Sequence, residues 1–369
     1  MSKKKRAIGL MSGTSMDGID VALIETDGGR ELVHGPSGAN AYPAEIKVKL
    51  RGALQEAQGL KDRADRPAGL LELERQLTQL NGEAVRRFLE SNGIAPESVD
   101  VIGYHGQTVL HDPGRAMTVQ LGDGALLAAL TGIDVVYDMR AADVAAGGEG
   151  APLAPVYHRA LAAQLPSMPA AFLNIGGVAN VTWIGEAGRI VAFDTGPGNA
   201  LLDDWMLKHC GAAHDANGAA AARGRIHEDA LTQLLTNAYF GAPPPKSLDR
   251  DAFSAAPVAS LGVDDGAATL TAFTAAAIGK AREYMPREPL TWVVCGGGRK
   301  NRTLMSMLAE HVANAVVPAE AVGLNGDIIE AEAWAYMAVR SLYGLPITFP
   351  ETTGVPAPLT GGVLAKAPR

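Results

Sequence analysis

The sequence predicts an α/β protein of two domains facing each other across a cleft, and three observations predict it. A strand, a polar glycine-containing turn and a second strand open the chain between Ala7 and Glu25. The same make of unit restarts between Ala170 and Ile184, after a stretch of small residues and prolines at Ala145–Pro155 that reads as a junction or hinge. Around both units, short apolar runs alternate with helix-period stretches, as βα structure requires. The division is expected as 1–144 and 145–369, with the C-terminal tail able to pack back on the first domain.

The 369 residues are enough for two domains with cores of their own. Hydrophobic residues make up 47% and charged residues 20%, the balance of a globular chain and not of a disordered one. A net charge of −8 gives no basic footprint, so nucleic acid is not an expected partner. Lys3–Arg6 precedes an apolar run that breaks at Ser12-Gly13, too early for a secretion signal, and no stretch reaches transmembrane length, so no membrane partner is expected. Cys210 and Cys295 are the only cysteines, which implies no disulfide framework and points to a cytoplasmic location.

The opening strands, Ala7–Met11 and Ile19–Ile24, flank Ser12-Gly13-Thr14-Ser15-Met16-Asp17-Gly18. Gly13 and Gly18 allow positive φ and a close ligand approach, while Thr14 and Ser15 add hydroxyls beside exposed backbone N–H groups. Such a turn holds phosphate oxygens without a Walker lysine, and Asp17 and Asp20 suit Mg²⁺ or its waters. An ordinary decorated hairpin fits the same residues. Gly13–Met16 also resembles the nucleophile segment of subtilisin-like proteases, but there the Asp and His partners precede the serine. Only fourteen residues precede Ser15, so that reading fails.

Leu71 to Leu89 has helical spacing and ends at Asn92-Gly93. Val99–Tyr104 then reads as a buried strand delivering His105-Gly106-Gln107-Thr108 at its carboxyl end, where α/β sheets bind ligands. His105 and His111 lack a third ligand nearby, which favours substrate contact or a structural hydrogen bond over metal. Met117–Leu121 and Val135–Tyr137 are further strands. The second ends in Asp138-Met139-Arg140, whose guanidinium suits a carboxylate or phosphate, or equally a structural ion pair.

In the second half, Ala170–Ile175, Gly176-Gly177 and Asn180–Ile184 repeat the hairpin, and Arg189–Phe193 adds a third strand. Asp194 follows, at the mouth of a Gly196-Pro197-Gly198 turn, where a carboxylate is held as a general base should be; a helix N-cap is the alternative. Ala242–Ser247 is a proline-stiffened loop, and Ala267–Tyr284 is a helix. Thr291–Cys295 empties into Gly296-Gly297-Gly298, which lets backbone pass close to a nucleotide, though the spacing is not GxGxxG. In the final helix, Asp327–Tyr343, Glu330 and Glu332 are two residues apart and cannot share a face.

Together, MSGTSMDG at Met11–Gly18, HGQT at His105–Thr108, NIGG at Asn174–Gly177, FDTGPGN at Phe193–Asn199 and CGGG at Cys295–Gly298 resemble the anhydro-N-acetylmuramic acid kinase family. The motifs stand in the family's order and span nearly the whole chain. The resemblance implies the actin-like fold shared by sugar kinases, Hsp70 and actin, two α/β domains around an ATP cleft. It also implies ATP-dependent conversion of 1,6-anhydro-N-acetylmuramic acid to its 6-phosphate in cell-wall recycling, by a cytoplasmic homodimer using Mg²⁺. By the same resemblance Gly13, Thr14, Ser15, Met16, Asp17, Gly18, Ile19 and Asp20 face the ATP phosphates, with Asp17 and Asp20 towards the metal. Gly176, Gly177, Gly296, Gly297, Gly298 and Asn301 face the nucleotide, and Asp194 is the base. The small-molecule sugar would meet His105, Gln107, Thr108, Arg140, Asn174, Gly196, Asn199 and Glu330. Two stretches depart from the family pattern: Glu149 stands where Gln is usual, and Leu248-Asp249 replaces Thr-Gly after Lys246-Ser247, which bears on local loop contacts. An actin- or Hsp70-like ATPase driving assembly or partner binding is the competing reading.

Overall fold

The apolar run at the start of the chain forms β1 (Lys5–Met11), antiparallel to β2 (Gly18–Thr26) with Met11 opposite Asp20. In the computed structural model, which describes residues 3–13, 15–250, 252–312 and 314–368, this hairpin continues into the edge strand β3 (Leu32–Ala41). The helix Ala68–Ser91 turns Leu70, Leu73, Leu77, Val85 and Phe88 into the core of this half, as their three- and four-residue spacing dictates, and the helix Ala44–Ala57 before it adds Ile46, Leu50 and Ala53. The chain then enters β4 (Val101–Tyr104), parallel to β1. A small hairpin, β5 (Gln107–Asp112) and β6 (Met117–Leu121), and the helix Gly124–Thr131 lead to β7 (Val135–Tyr137), parallel to β4.

The second half builds β8 (Ala170–Ile175), β9 (Val178–Ile184) and β10 (Ile190–Pro197) as an antiparallel meander. The long helix Val263–Lys280, buried along almost all of its alanine-rich length, returns the chain to β11 (Thr291–Cys295), parallel to β8. The helix Arg302–His311 then leads to β12 (Ala315–Pro318), parallel to β11. Five strands of the six-stranded first sheet run β3-β2-β1-β4-β7, and the second sheet runs β10-β9-β8-β11-β12. Counted within each half, both orders are 3-2-1-4-5 with the second strand antiparallel to its neighbours. The second half does restart the first, and a doubled sheet of this order is the actin-like arrangement.

By packing, one unit comprises Met1–Ala163 with Ile328–Arg369, and the other Gln164–Asp327. The returning segment supplies the helix Ile329–Leu342, which lies on β1 and β4, and the strand β13 (Val363–Ala365), antiparallel to β7. The stretch Ala145–Pro155 falls inside the first unit. It is tied there: Gly148 N–H donates to Asp143 O (2.9 Å), Gly150 N–H to Asp143 Oδ2 (2.7 Å), and Glu149 N–H to Thr353 O (2.6 Å). Asp143 is buried and also accepts from the Thr353 hydroxyl at 2.7 Å. The small residues let the backbone close on that carboxylate, since a Cβ on Gly148 would stand 2.3 Å from Asp143 Oδ2. Its composition reads as a hinge, and its bonds make it a clasp. Among the described residues no helix is long and apolar enough to cross a membrane.

Candidate active site

The turn between β1 and β2 closes through Met16 N–H donating to Gly13 O (3.1 Å), and Met16, not a glycine, takes the left-handed conformation (φ 53°). Neither Gly13 nor Gly18 uses the positive φ that a missing side chain allows. Gly18 is bare because the backbone of β3 passes it: a Cβ there would stand 2.3 Å from Asn40 O. Among the described residues a Cβ on Gly13 would meet nothing closer than Ser15 Oγ at 3.4 Å, an ordinary contact, so the turn has room for a methyl there. Ser15 Oγ–H donates to Asp17 Oδ1 (2.7 Å), and Ile19 is buried in the core, which leaves only its backbone to a ligand. Thr14 lies outside the described residues.

Behind this turn the HGQT segment acts as a brace. His105 Nδ1–H donates to Ser12 O (2.9 Å), Gln107 Nε2–H to Gly13 O (3.1 Å), and the Tyr42 hydroxyl to buried Ser12 Oγ (2.9 Å). Burial, and then the nearby Arg140 charge, push His105 down to about 3. The ring is therefore neutral, and its Nε2 accepts from Arg140 Nη2 at 3.3 Å. Thr108 lies farther along β5 and accepts from Gln120 Nε2 (3.3 Å). Of this segment, His105 and Gln107 support the turn from within the protein.

Arg140 is half-buried, donates to Gly150 O (2.8 Å) and stacks over Trp334, 5.4 Å from the ring centroid. The same indole packs on His105 at 4.7 Å between ring centroids. Burial lowers Arg140 to about 10 against the opposing pull of Glu330 and Asp143. Glu330 opens the helix Ile329–Leu342 with its side chain reaching solvent, yet the protein around it thins its hydration and raises its carboxyl, which Arg140 opposes. Glu332 points the other way. It is buried and accepts from His34 Nδ1–H and the Tyr157 hydroxyl, both at 2.7 Å. The two glutamates do not form a pair.

In the second unit, the Gly176-Gly177 turn is fastened to the segment after β10. Gly198 N–H donates to Gly177 O (2.9 Å), Asn199 N–H to Gly176 O (2.7 Å), and Asn199 Nδ2–H to Ile175 O (3.1 Å). The triple glycine closes on the same strand end. A Cβ on Gly296, itself at φ 72°, would stand 2.3 Å from Asn174 Oδ1, and one on Gly298 would stand 2.4 Å from Ile175 Cγ2. Gly297 is less crowded: a Cβ there would meet only Asn199 Nδ2, at a contact distance of 3.7 Å. Arg299 holds this loop, donating to Gly296 O (2.9 Å) while pairing with Glu320 and Asp327. Asn301 is buried and caps the helix Arg302–His311, its Oδ1 accepting from Leu304 N–H (2.9 Å).

Asp194 sits within β10, not beyond it as the sequence suggests. The strand continues to Pro197 through a bulge between Asp194 and Gly196, and bulges of this kind re-aim a side chain beside functional sites. Gly196 serves the bulge with φ 152°. The alternative N-cap role is excluded, because the next helix begins at Ala200 behind Asn199. Asp194 is half-buried, and burial raises its carboxyl to about 7 while the Leu248 N–H bond to Oδ2 (2.8 Å) pulls it down.

Asp17 and Asp20 are the carboxylates of the first turn. Among the described residues no three or more His, Cys, Asp or Glu side chains gather to hold a metal ion. A magnesium ion kept by one or two carboxylates, with waters and phosphate oxygens completing its shell, fits such a pair; an all-protein cage does not.

A doubled 3-2-1-4-5 sheet with a glycine turn on the first hairpin of each half is the fold that actin-like ATPases share with sugar kinases. Within it, the chain belongs to the anhydro-N-acetylmuramic acid kinase family, whose model matches residues 5–367. It is 53% identical to the anhydro-N-acetylmuramic acid kinase of Methylobacterium nodulans, over 98% of this chain and 100% of that protein. It is 50% identical to the one from Agrobacterium fabrum, over the full length of both. Among solved structures, a ROK family glucokinase from Streptomyces griseus aligns over 89% of this chain and 98% of its own, at 14% identity and a TM-score of 0.39.

Proposed function

We propose that this chain uses ATP and water to convert 1,6-anhydro-N-acetylmuramic acid into N-acetylmuramic acid 6-phosphate and ADP, in the recycling of cell-wall sugar. The observation that carries the chemistry is Asp194. A half-buried carboxylate raised to about 7 gains and loses a proton at working pH, as a general base must. The substrate has no free 6-hydroxyl, because O6 bridges to C1. Water attacks C1 while O6 leaves and takes the γ-phosphoryl group, and Asp194 accepts the proton of that water. This is the logic of inverting glycoside hydrolysis with phosphorus in place of the general acid, so one carboxylate suffices.

The remaining residues bind and orient. The backbone at Gly13 receives phosphate oxygens, with His105 and Gln107 fixing its carbonyls from behind. Arg140 suits the lactyl carboxylate of the sugar, and Glu330 accepts from a sugar hydroxyl. Gly297, beside Gly176 and Gly177, takes the nucleotide. Asp17 and Asp20 would hold Mg²⁺ through its waters, and the ion, when bound, would neutralise charge on the phosphates. The working protein in this reading is a cytoplasmic homodimer, as the family resemblance implies.

The test is isotopic. In the anhydro sugar O6 holds the β position at C1, so in ¹⁸O-water the label should appear at C1 and the α-anomer should form first, by NMR recorded before mutarotation. Label in the phosphate, or β product first, overturns the single-carboxylate mechanism. ADP release that is indifferent to the sugar overturns the substrate.

A further inference from the structure

Lys246 and Tyr239 close a ring of bonds around Asp194. Asp194 N–H donates to Lys246 O (3.1 Å), Lys246 Nζ–H to Tyr239 O (3.0 Å), and the Tyr239 hydroxyl to Asp194 O (2.6 Å). The Lys246 ammonium stands among three aromatic rings, 4.6 Å from the centroids of Tyr239 and Tyr284 and 5.8 Å from that of Phe193. Ring faces attract a cation, and among the described residues no carboxylate pairs with this ammonium. The Tyr284 hydroxyl donates to Phe240 O (2.9 Å), which ties the cage to the turn that carries Tyr239. Two residues beyond Lys246, Leu248 N–H meets Asp194 Oδ2. The prolines at 243, 244 and 245 fix φ on the approach and leave this loop few ways to shift.

We propose that Lys246 and Tyr239 are positioning residues: they pin the loop to β10 so that Leu248 N–H holds one carboxylate oxygen of Asp194 and the other is left to take the proton from water. This rests on Asp194 being the base. Neither residue touches the reacting atoms in this account; each acts through the aim of one carboxylate. Tyr239, in the turn, is the titratable side chain whose ionisation feels the Asp194 charge; the Lys246 ammonium is turned into the aromatic cage, and the strand opposite presents Asn180, which does not titrate.

Lys246→Met keeps the apolar stem in the cage and removes the ammonium; Lys246→Arg keeps a cation; Tyr239→Phe removes only the hydroxyl. Each variant is assayed as the full chain for kcat, both KM values, the pH profile of kcat and thermal unfolding, with Asp194→Asn as control. Lys246→Met should lower kcat roughly tenfold or more while both KM values stay near wild type. Its acid limb should move to higher pH, because a carboxylate without its N–H donor is harder to ionise. Lys246→Arg should recover both properties in part, and Tyr239→Phe should move both in the same direction as Lys246→Met. Wild-type kcat and an unmoved acid limb in Lys246→Met and Tyr239→Phe, beside an inactive Asp194→Asn, overturn the proposal alone. An active Asp194→Asn overturns the base itself. A lower kcat with an unmoved limb and no recovery in Lys246→Arg means generic loosening, and also overturns it. If Lys246→Met does not fold, Tyr239→Phe decides by the same two readouts.

Discussion

Gly9 and Gly103 stand opposite each other on β1 and β4, and the helix carrying Glu330 lies on the bare backbone between them. A Cβ on Gly9 would stand 1.7 Å from Ala331 O, and one on Gly103 would stand 2.1 Å from Trp334 O. These distances concern backbone, which cannot swing aside as a side chain can. The pair therefore sets the height at which Glu330 and Trp334 sit above the sheet.

Gly103→Ala should lift that helix. Overpacking of this kind costs about 1–3 kcal/mol and sometimes more, so the urea midpoint should fall and activity should fall with it. An unchanged midpoint would show that the helix has slack to give.

Gly13→Ala should behave in the opposite way. Gly13 does not have positive φ and a Cβ there has room, so the folded state should tolerate the change with its melting temperature near wild type. Nucleotide binding by calorimetry should weaken, because the new methyl occupies space the fold leaves open. Normal affinity in this variant would remove the turn from the phosphate site.

Asp194→Asn should lower kcat by about 10²–10⁴ while ATP still binds, because the amide keeps the shape and cannot accept a proton. In the wild-type enzyme the rate should fall as pH drops through about 7, well above the ordinary carboxylate range. An acid limb near pH 4 would place the base elsewhere, with Glu330 next in line.

The same carboxyl should tax stability at high pH. Between its ordinary value of 3.8 and about 7 the folded state holds a proton that the unfolded chain has lost, so stability falls as pH rises through that window. Asp194→Asn lacks this loss and should be more stable than wild type at pH 8, on the order of 2–4 kcal/mol, with little difference at pH 4. Denaturant melts at the two pH values check the sign.

Glu332 supports the opposite dependence. Its bond to His34 raises that imidazole above 6.5, so the charged pair stabilises fully below pH 6.5, and the benefit is lost as pH climbs through the folded value. Glu332→Gln should therefore destabilise more at pH 6 than at pH 8.5, by about 1.5–3 kcal/mol at the lower pH. Equal losses at both would show that the hydrogen bond to Tyr157 carries the effect.

Strand-scale features were legible in the sequence because they are local: the β1–β2 hairpin, its restart at β8–β9, and the separate faces of Glu330 and Glu332 follow from spacing alone. Contacts across the chain were not. Nothing near Asp194 announces that a backbone N–H from residue 248 will meet it, nor that the Gly196 turn is a bulged continuation of β10. Gly18, Gly296 and Gly298 look like ligand glycines, but each is bare because protein atoms pass it. That Asn301 also caps a helix shows only once Leu304 N–H is placed against its Oδ1.

The donor to Asp194 is a peptide group, and that changes what position 248 encodes. Leu248 offers no side-chain atom to this bond, which is made by an atom every residue but proline carries. The letter at this site is nearly silent and the path of the chain through it is not. Divergence in this loop can therefore accumulate without touching the chemistry, and two relatives can differ at 248 while presenting the same hydrogen to the same oxygen.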